Sequence, residues 1–423
     1  MRKEIKSSFF KSIALLASGS LIAQLITIIS APFLTRLFTT NQIGIYTYIL
    51  SLVSIFAPIM NGRYDMSIVT EEKEEFIYPL MKLSIIISTF GSFIITTGYI
   101  LYFLFFNNEN YNYSYTFVLV FILLISHGII NVLTAYNNRE REYKIITSVH
   151  IIRAVCQNFG AILLGFFKLG LLGLLLPYTV GQLLGINKQT KKIRNSFSKF
   201  KNINKTEMIE VLKYHSKQPL YSAPALFANS FSYSSVMFFI EGLFGMNVVG
   251  LYSISFRILG LPLSIISSNV SKVFFEEASR ESNMTGQFYQ SFKKTTLFLC
   301  VLAIPMILVM YFIVPQVIGI VFGNDWIESG AYIKILSFMF GIRFVVSSLS
   351  TGLIVAKKQN YELILQVSFI ASSILCYVIS KIFMLSVYDF LKLINFTFSV
   401  SFLIYFIMIF KFSIRGDIVK CQQ

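Results

Sequence analysis

Charge is scarce in this 423-residue chain, with 36 Lys and Arg and 20 Asp and Glu. A soluble domain devotes about a quarter of its residues to these four types to cover its surface. The share here is 13%, which excludes soluble enzymes and secreted scaffolds. Cysteine is equally sparse: Cys156, Cys300, Cys376 and Cys421 are scattered without C-x-x-C spacing. Three of them sit in apolar runs, where cysteine behaves as a small hydrophobe, so neither a metal nor a redox cofactor is expected. The chain has no HExxH, GxSxG or Walker loop, the patterns that place a zinc, a serine nucleophile or a nucleotide phosphate. Catalysis and ATP-driven transport by this chain alone are therefore not expected.

Apolar residues make up 55% of the chain and the mean hydropathy is +0.69, values of a polytopic membrane protein. Crossing a bilayer takes about 20 apolar residues in a helix, and twelve such stretches appear. They run Ile13 to Leu34, Ile43 to Met60, Leu80 to Phe106, Thr116 to Ala135, Thr147 to Phe167, Gly170 to Ile186, Leu220 to Ile240, Val249 to Val270, Thr296 to Val314, Ala331 to Ala356, Leu363 to Phe383 and Phe390 to Phe410. The N-terminal stretch resembles a signal peptide, but its apolar run continues through Leu34 and reads as an uncleaved first helix.

Lys and Arg concentrate in alternate loops, and the excess of basic residues, +16 overall, marks the cytoplasmic side. With the N-terminus inside, the outer loops hold only Arg36 and Lys168, and both termini are cytoplasmic. The outer loops, such as 107–115 and 315–330, are too short for an external catalytic domain. The longest loop, Asn187 to Gln218, is Lys-rich. It reads as a basic cytoplasmic linker (187–218) between a six-helix lobe over 1–186 and another over 219–423. Nucleic acid is not implied by the basic balance.

A motif recurs at nearly half the chain length. Leu37-Phe38-x-x-Asn41-x-x-Gly44-x-Tyr46 lies between spans one and two, and Leu243-Phe244-x-x-Asn247-x-x-Gly250-x-Tyr252 between spans seven and eight. An interval of six spans preserves orientation, so the lobes are read as parallel repeats about an axis along the membrane normal. Prolines 32, 58, 219, 224, 262 and 305 fall in spans one, two, seven, eight and nine. They mark either hinges for alternating access or static kinks.

Charges inside a span are costly and mark wet cavities. Here the deep ones are arginines, which offer phosphate a permanent charge and paired planar donors. Arg343 sits near the middle of span ten with Ser347 and Ser350 on its face; Arg153 shares a face with His150 and Gln157, and Arg257 with Ser253, Ser264 and Ser268. Span one carries Ser20, Gln24 and Thr27 and ends at Arg36, while Arg63 ends span two. By depth these five arginines form a ladder for an anion. The plainer reading has Arg36 and Arg63 snorkelling to the interface and Arg153 and Arg257 satisfying carbonyls between helices. His127 reads as a structural histidine or a proton relay. No Asp or Glu lies inside a span: Asp65, Glu241, Glu362 and Asp389 fall at ends. Coupled cation exporters bury carboxylates for their ions, so a neutral or anionic substrate is favoured.

The stretch Ala17-Ser18-Gly19-Ser20 through Gln24, then Ala31-Pro32-Phe33-Leu34-Thr35-Arg36-Leu37-Phe38, then Gly44-Ile45-Tyr46 and Arg63-Tyr64-Asp65 resembles the Wzx-type O-antigen or polysaccharide flippases of the multidrug/oligosaccharidyl-lipid/polysaccharide exporter superfamily. The motif match covers about the first 70 residues. The resemblance implies twelve helices in two six-helix lobes, a MATE-like parallel pseudo-repeat around a central cavity. It also implies a bacterial inner-membrane protein that flips an undecaprenyl-diphosphate-linked oligosaccharide to the periplasmic leaflet. Its partners would be membrane lipids and the polymerase and chain-length proteins of the same pathway. The family's cavity arginines carry over to Arg36, Arg63 and Arg257, whereas Arg153 and Arg343 rest on depth. Two alternatives stand beside this reading: a MATE-type cation-coupled drug exporter, and a membrane O-antigen polymerase or glycosyltransferase.

Overall fold

The computed structural model describes residues 2–106, 114–194, 200 and 203–414. Cys421, the basic residues Lys199, Lys201, Arg415 and Lys420, and most of the 107–115 loop lie outside the described residues. The fold is all-α. Its helices are α1 (Arg2–Leu37), α2 (Thr40–Phe56), α3 (Tyr64–Thr70), α4 (Glu74–Phe106), α5 (Tyr115–Arg139), α6 (Tyr143–Phe166), α7 (Leu171–Leu183), α8 (Ile186–Gln189), α9 (Lys191–Arg194) and α10 (Lys205–Tyr214). They continue as α11 (Ala223–Phe244), α12 (Met246–Pro262), α13 (Ser268–Thr285), α14 (Tyr289–Leu308), α15 (Val314–Phe322), α16 (Ile327–Leu349), α17 (Gly352–Val355), α18 (Gln359–Ile382) and α19 (Val387–Ile414). Wide π-helical turns occupy Gln218–Ser222, Leu263–Ser267 and Val309–Ile313.

Among the described residues, ten helices are long and apolar enough to cross a membrane. Twelve were expected, and the spans at 170–186 and 220–240 fall on helices outside that set. The first is α7, which has only 13 residues. The second is α11, whose run of Asn229, Ser230, Ser232, Ser234 and Ser235 dilutes its apolar character.

The chain forms two compact units. The first comprises 1–38 and 48–230, the second 39–47 and 231–423. In the first, α1 packs on α6, α6 on α7, and α4 on α5. The α4–α5 approach is close because Gly128 has no side chain; a Cβ there would overlap Ser88. Much of 187–218 is ordered against this unit. Val211 of α10 is fully buried beside Tyr64, Ile77, Leu80 and Met81, the Tyr64 hydroxyl donates to the Leu212 carbonyl at 3.3 Å, and His215 Nε2 lies 2.7 Å from Glu71 Oε2. The Glu71 carboxyl is held below its ordinary range. Burial pushes it up, but the Lys73 backbone N–H and the His215 side chain outweigh that.

In the second unit, α16 packs on α19 and α12, and α14 packs on α16. The start of α2 belongs here too, and it brings the two copies of the repeated motif face to face. A Cβ on Gly44 would overlap the Met246 carbonyl, and a Cβ on Gly250 would overlap the Thr40 carbonyl. The Thr40 hydroxyl donates to Asn247 Oδ1 at 2.9 Å. Each copy of the motif thus uses its glycine to admit the backbone of the other.

Candidate functional site

The second helix breaks where a polar wall is needed. After α2 the chain tightens into a 3-10 turn at Ala57–Ile59, started by Pro58, and Gly62 and Arg63 then take left-handed backbone angles (φ 57° and 65°) before α3 begins. Unwound backbone at membrane depth is tolerated only where its polar groups find partners. Here Asn61, fully buried, donates to the carbonyls of Ser84 (3.2 Å) and Gly128 (3.0 Å). Asn131 from α5 donates both to Asn61 Oδ1 (3.3 Å) and to the Ala57 carbonyl (2.9 Å).

The break turns Asp65 into the wall of a cavity of about 600 Å³ inside the first unit. Gln24 and Thr27 of α1, His127, Asn131, Thr134 and Asn138 of α5, His150, Arg153 and Gln157 of α6 and Gln182 of α7 complete its polar lining. Arg153 is buried; its Nε donates to the Leu184 carbonyl (3.2 Å) and its Nη2 to Gln189 Oε1 (3.4 Å). The guanidinium has five N–H donors, so these fix its plane and leave capacity towards the cavity. Arg63 Nη1 stands 3.8 Å from Asp65 Oδ2, and neither Arg63 Nε nor Asp65 Oδ1 has a hydrogen-bond partner among the described residues. An acidic side chain therefore lines this cavity, although in the sequence Asp65 lies only at the end of a span.

Of the seven residues singled out by sequence, Gln24, Gln157 and Arg153 come together on this wall, and Arg63 reaches it through Asp65. Arg36 is exposed in the last turn of α1 and is not part of the cavity lining. Asn131, Gln182 and Asp65 were not foreseen as lining residues; the local signals were Pro58, read as a hinge or a static kink, and the Asn-Gly pair at 61–62, a turn dipeptide inside an apolar run.

Arg257 and Arg343 belong to the second unit, on α12 and α16, both half-buried. The Arg343 guanidinium carbon lies 4.2 Å from the Tyr233 ring centre, 5.4 Å from that of Phe340 and 5.7 Å from that of Phe256. Among the described residues no carboxylate pairs with it. Cation–π contact holds a guanidinium by its face and leaves its edge donors open, a geometry suited to an oxyanion arriving in the guanidinium plane. Beside it, Ser267 bonds Ser347 (2.9 Å) and Ser348 (2.7 Å), joining the π-helical turn to α16.

The model of the family described as polysaccharide biosynthesis protein matches residues 33–331. The chain belongs to that family. No curated protein matches it in sequence. Solved structures resemble this polysaccharide biosynthesis protein over nearly its whole length. The lipid II flippase MurJ in an inward closed conformation superposes with a TM-score of 0.71 at 12% identity, covering 95% of this chain and 90% of that one. An inward-facing multidrug resistance MATE transporter of the MOP superfamily gives 0.65 at 13% identity, covering 95% and 97%. A MOP superfamily transporter from Pyrococcus furiosus, described as having a binding pocket of reversed polarity, gives 0.62 at 13%, covering 95% and 93%. At these identities the likeness shows the fold: the polysaccharide biosynthesis protein has the MATE/MOP-type architecture.

Proposed function

We propose that this protein is a flippase that carries an undecaprenyl-diphosphate-linked oligosaccharide from the cytoplasmic to the periplasmic leaflet of a bacterial inner membrane by alternating access, for O-antigen or another surface polysaccharide. The observation that carries this reading is the Arg343 guanidinium, set midway along a membrane helix, stacked on aromatic rings and without a carboxylate partner among the described residues. A diphosphate supplies the missing anion, and the open edge donors meet its oxygens in pairs. The amide-rich cavity around Arg153 offers hydrogen-bond partners of the kind sugar hydroxyls need. Arg36, Arg63 and Arg257 serve as further substrate-binding residues, each within its own unit, both termini lie in the cytoplasm, and the polymerase and chain-length proteins of the pathway take over the product.

The test is deletion of the gene followed by a membrane-impermeant probe of polyprenyl-linked intermediates on intact spheroplasts. Accumulation on the cytoplasmic leaflet, reversed by the wild-type gene, is expected. Normal outward display would sink the proposal.

A second reading, cation-coupled drug export, is favoured by one observation: Asp65 lines the cavity, and its buried Oδ1 has no hydrogen-bond partner among the described residues. It requires that Asp65→Asn abolish drug resistance conferred by the protein; unaltered drug sensitivity on deletion removes it.

A further inference from the structure

A second cavity, of about 430 Å³, opens on the outer face of the second unit between α14, α16 and α19. Tyr311, Lys334, Lys392 and Asn395 give it polar walls, and Ile307 and Phe338 apolar ones. The two lysines share one depth. The Tyr388 hydroxyl donates to Glu328 at 3.1 Å near the starts of α19 and α16, and the Met339 N–H donates to Asn395 Oδ1 at 3.1 Å further along. Lys334 and Lys392 fall between these two ties, about 10 Å and about 8 Å along their helices.

The surroundings are a lipid-facing surface. Phe338 is 56% exposed, Phe312 58%, Ile304 61% and Phe396 67%. An exposed lysine here is costly unless it reaches a polar layer or an anion. Among the described residues Lys334 has no carboxylate partner, and its ammonium lies 4.8 Å from the Tyr311 ring centre. Tyr311 is presented by the π-helical turn Val309–Ile313, which follows Pro305 and widens the helix at this level. Gly341 admits Ile307 against α16 and so fixes the floor. Lys392 is paired with Asp389 at 3.0 Å, so two ammonium groups and one carboxylate leave a single net positive charge.

We propose that this cavity is a binding site for the phosphate of an anionic phospholipid in the leaflet at which α16 and α19 begin. One net charge matches one phosphodiester. The Asn395 amide nitrogen and the Tyr311 hydroxyl complete the polar shell, and the acyl chains run along Phe338 and Phe396. The site is separate from the flippase path proposed above, and its occupancy does not depend on that proposal.

The test is native mass spectrometry of the purified full-length protein with equal amounts of dioleoylphosphatidylglycerol and dioleoylphosphatidylcholine. The wild type should retain phosphatidylglycerol in preference. Lys334→Gln should lower that preference about fivefold, the weight of one basic residue at a membrane surface, and Lys334→Arg should keep it. Lys381→Gln, which removes an exposed lysine over the ring of Tyr377 on α18, should leave it unchanged. An unaltered preference in Lys334→Gln would overturn the site, and so would an equal loss in Lys381→Gln, which would reduce the effect to bulk charge. Displacement of the lipid by equimolar glycerol phosphate would show a soluble-phosphate site and overturn the lipid assignment.

Discussion

Replacing Arg343 by Gln separates the transport role of this side chain from a structural one. The substitution removes the stacking on Tyr233 at 4.2 Å, worth about 2 kcal/mol when desolvated. It also removes a charge whose placement at a membrane-helix centre costs about 2.5 to 3.5 kcal/mol on insertion scales. The two nearly cancel, so the variant should insert and unfold close to wild type. A lost charge-assisted contact to a phosphate is worth about 1.5 to 3 kcal/mol, so flipping should fall about tenfold to a hundredfold. Membrane abundance by quantitative blotting, thermal unfolding in detergent and leaflet display of the lipid-linked glycan measure the three quantities together. Display at the wild-type rate, or a loss that merely tracks protein abundance, would refute the reasoning.

Other outcomes follow from the same geometry. Asn61→Ala removes the donor to Ser84 and Gly128 and leaves Asn131 without one acceptor; a loss of about 2 kcal/mol is expected, read as a lowered Tm in detergent. Gly44→Ala and Gly250→Ala should each cost about 1 to 3 kcal/mol by overpacking. The double variant should cost less than their sum, because once one methyl has parted the helices the other meets less resistance; additive Tm shifts would refute the reciprocal contact. The Glu71 carboxyl titrates below its ordinary value of 4.5, so its stabilising contact with His215 is complete above that pH and fades as pH falls through the lowered value. Hydrogen-exchange protection of α10, corrected for intrinsic rate, should fall over that acid range and already be reduced in Glu71→Gln at neutral pH.

Membrane character and most of the spans were legible because burial in lipid writes itself into local composition. The apolar runs need only about 20 residues of context. The two expected spans outside the ten-helix set are the short α7 and the Ser-rich α11, where local apolarity is weakest. Arg153 and Arg343 stood out because a deep arginine is anomalous in any apolar run. What could not be read was the partner of each. The carbonyls of Leu184 and the rings of Tyr233 and Phe256 are distant in the chain. Pro58 marked a kink in span two, but what holds the break open was hidden for the same reason: Asn61 is held by groups from α4 and α5. Asp65 enters the cavity only because that break turns it inward.

The reciprocal seat of Gly44 and Gly250 gives the second unit an isologous seam within one polypeptide, the kind of self-complementary patch through which identical subunits form a two-fold dimer. A side chain added on one helix of that seam is felt by the main chain of the other, which no side-chain exchange can shorten. A substitution at either glycine therefore disturbs the helix start that carries the other. The Asn-x-x-Gly segments that open α2 and α12 thus meet as two copies of one surface, each supplying the backbone that the other's glycine receives.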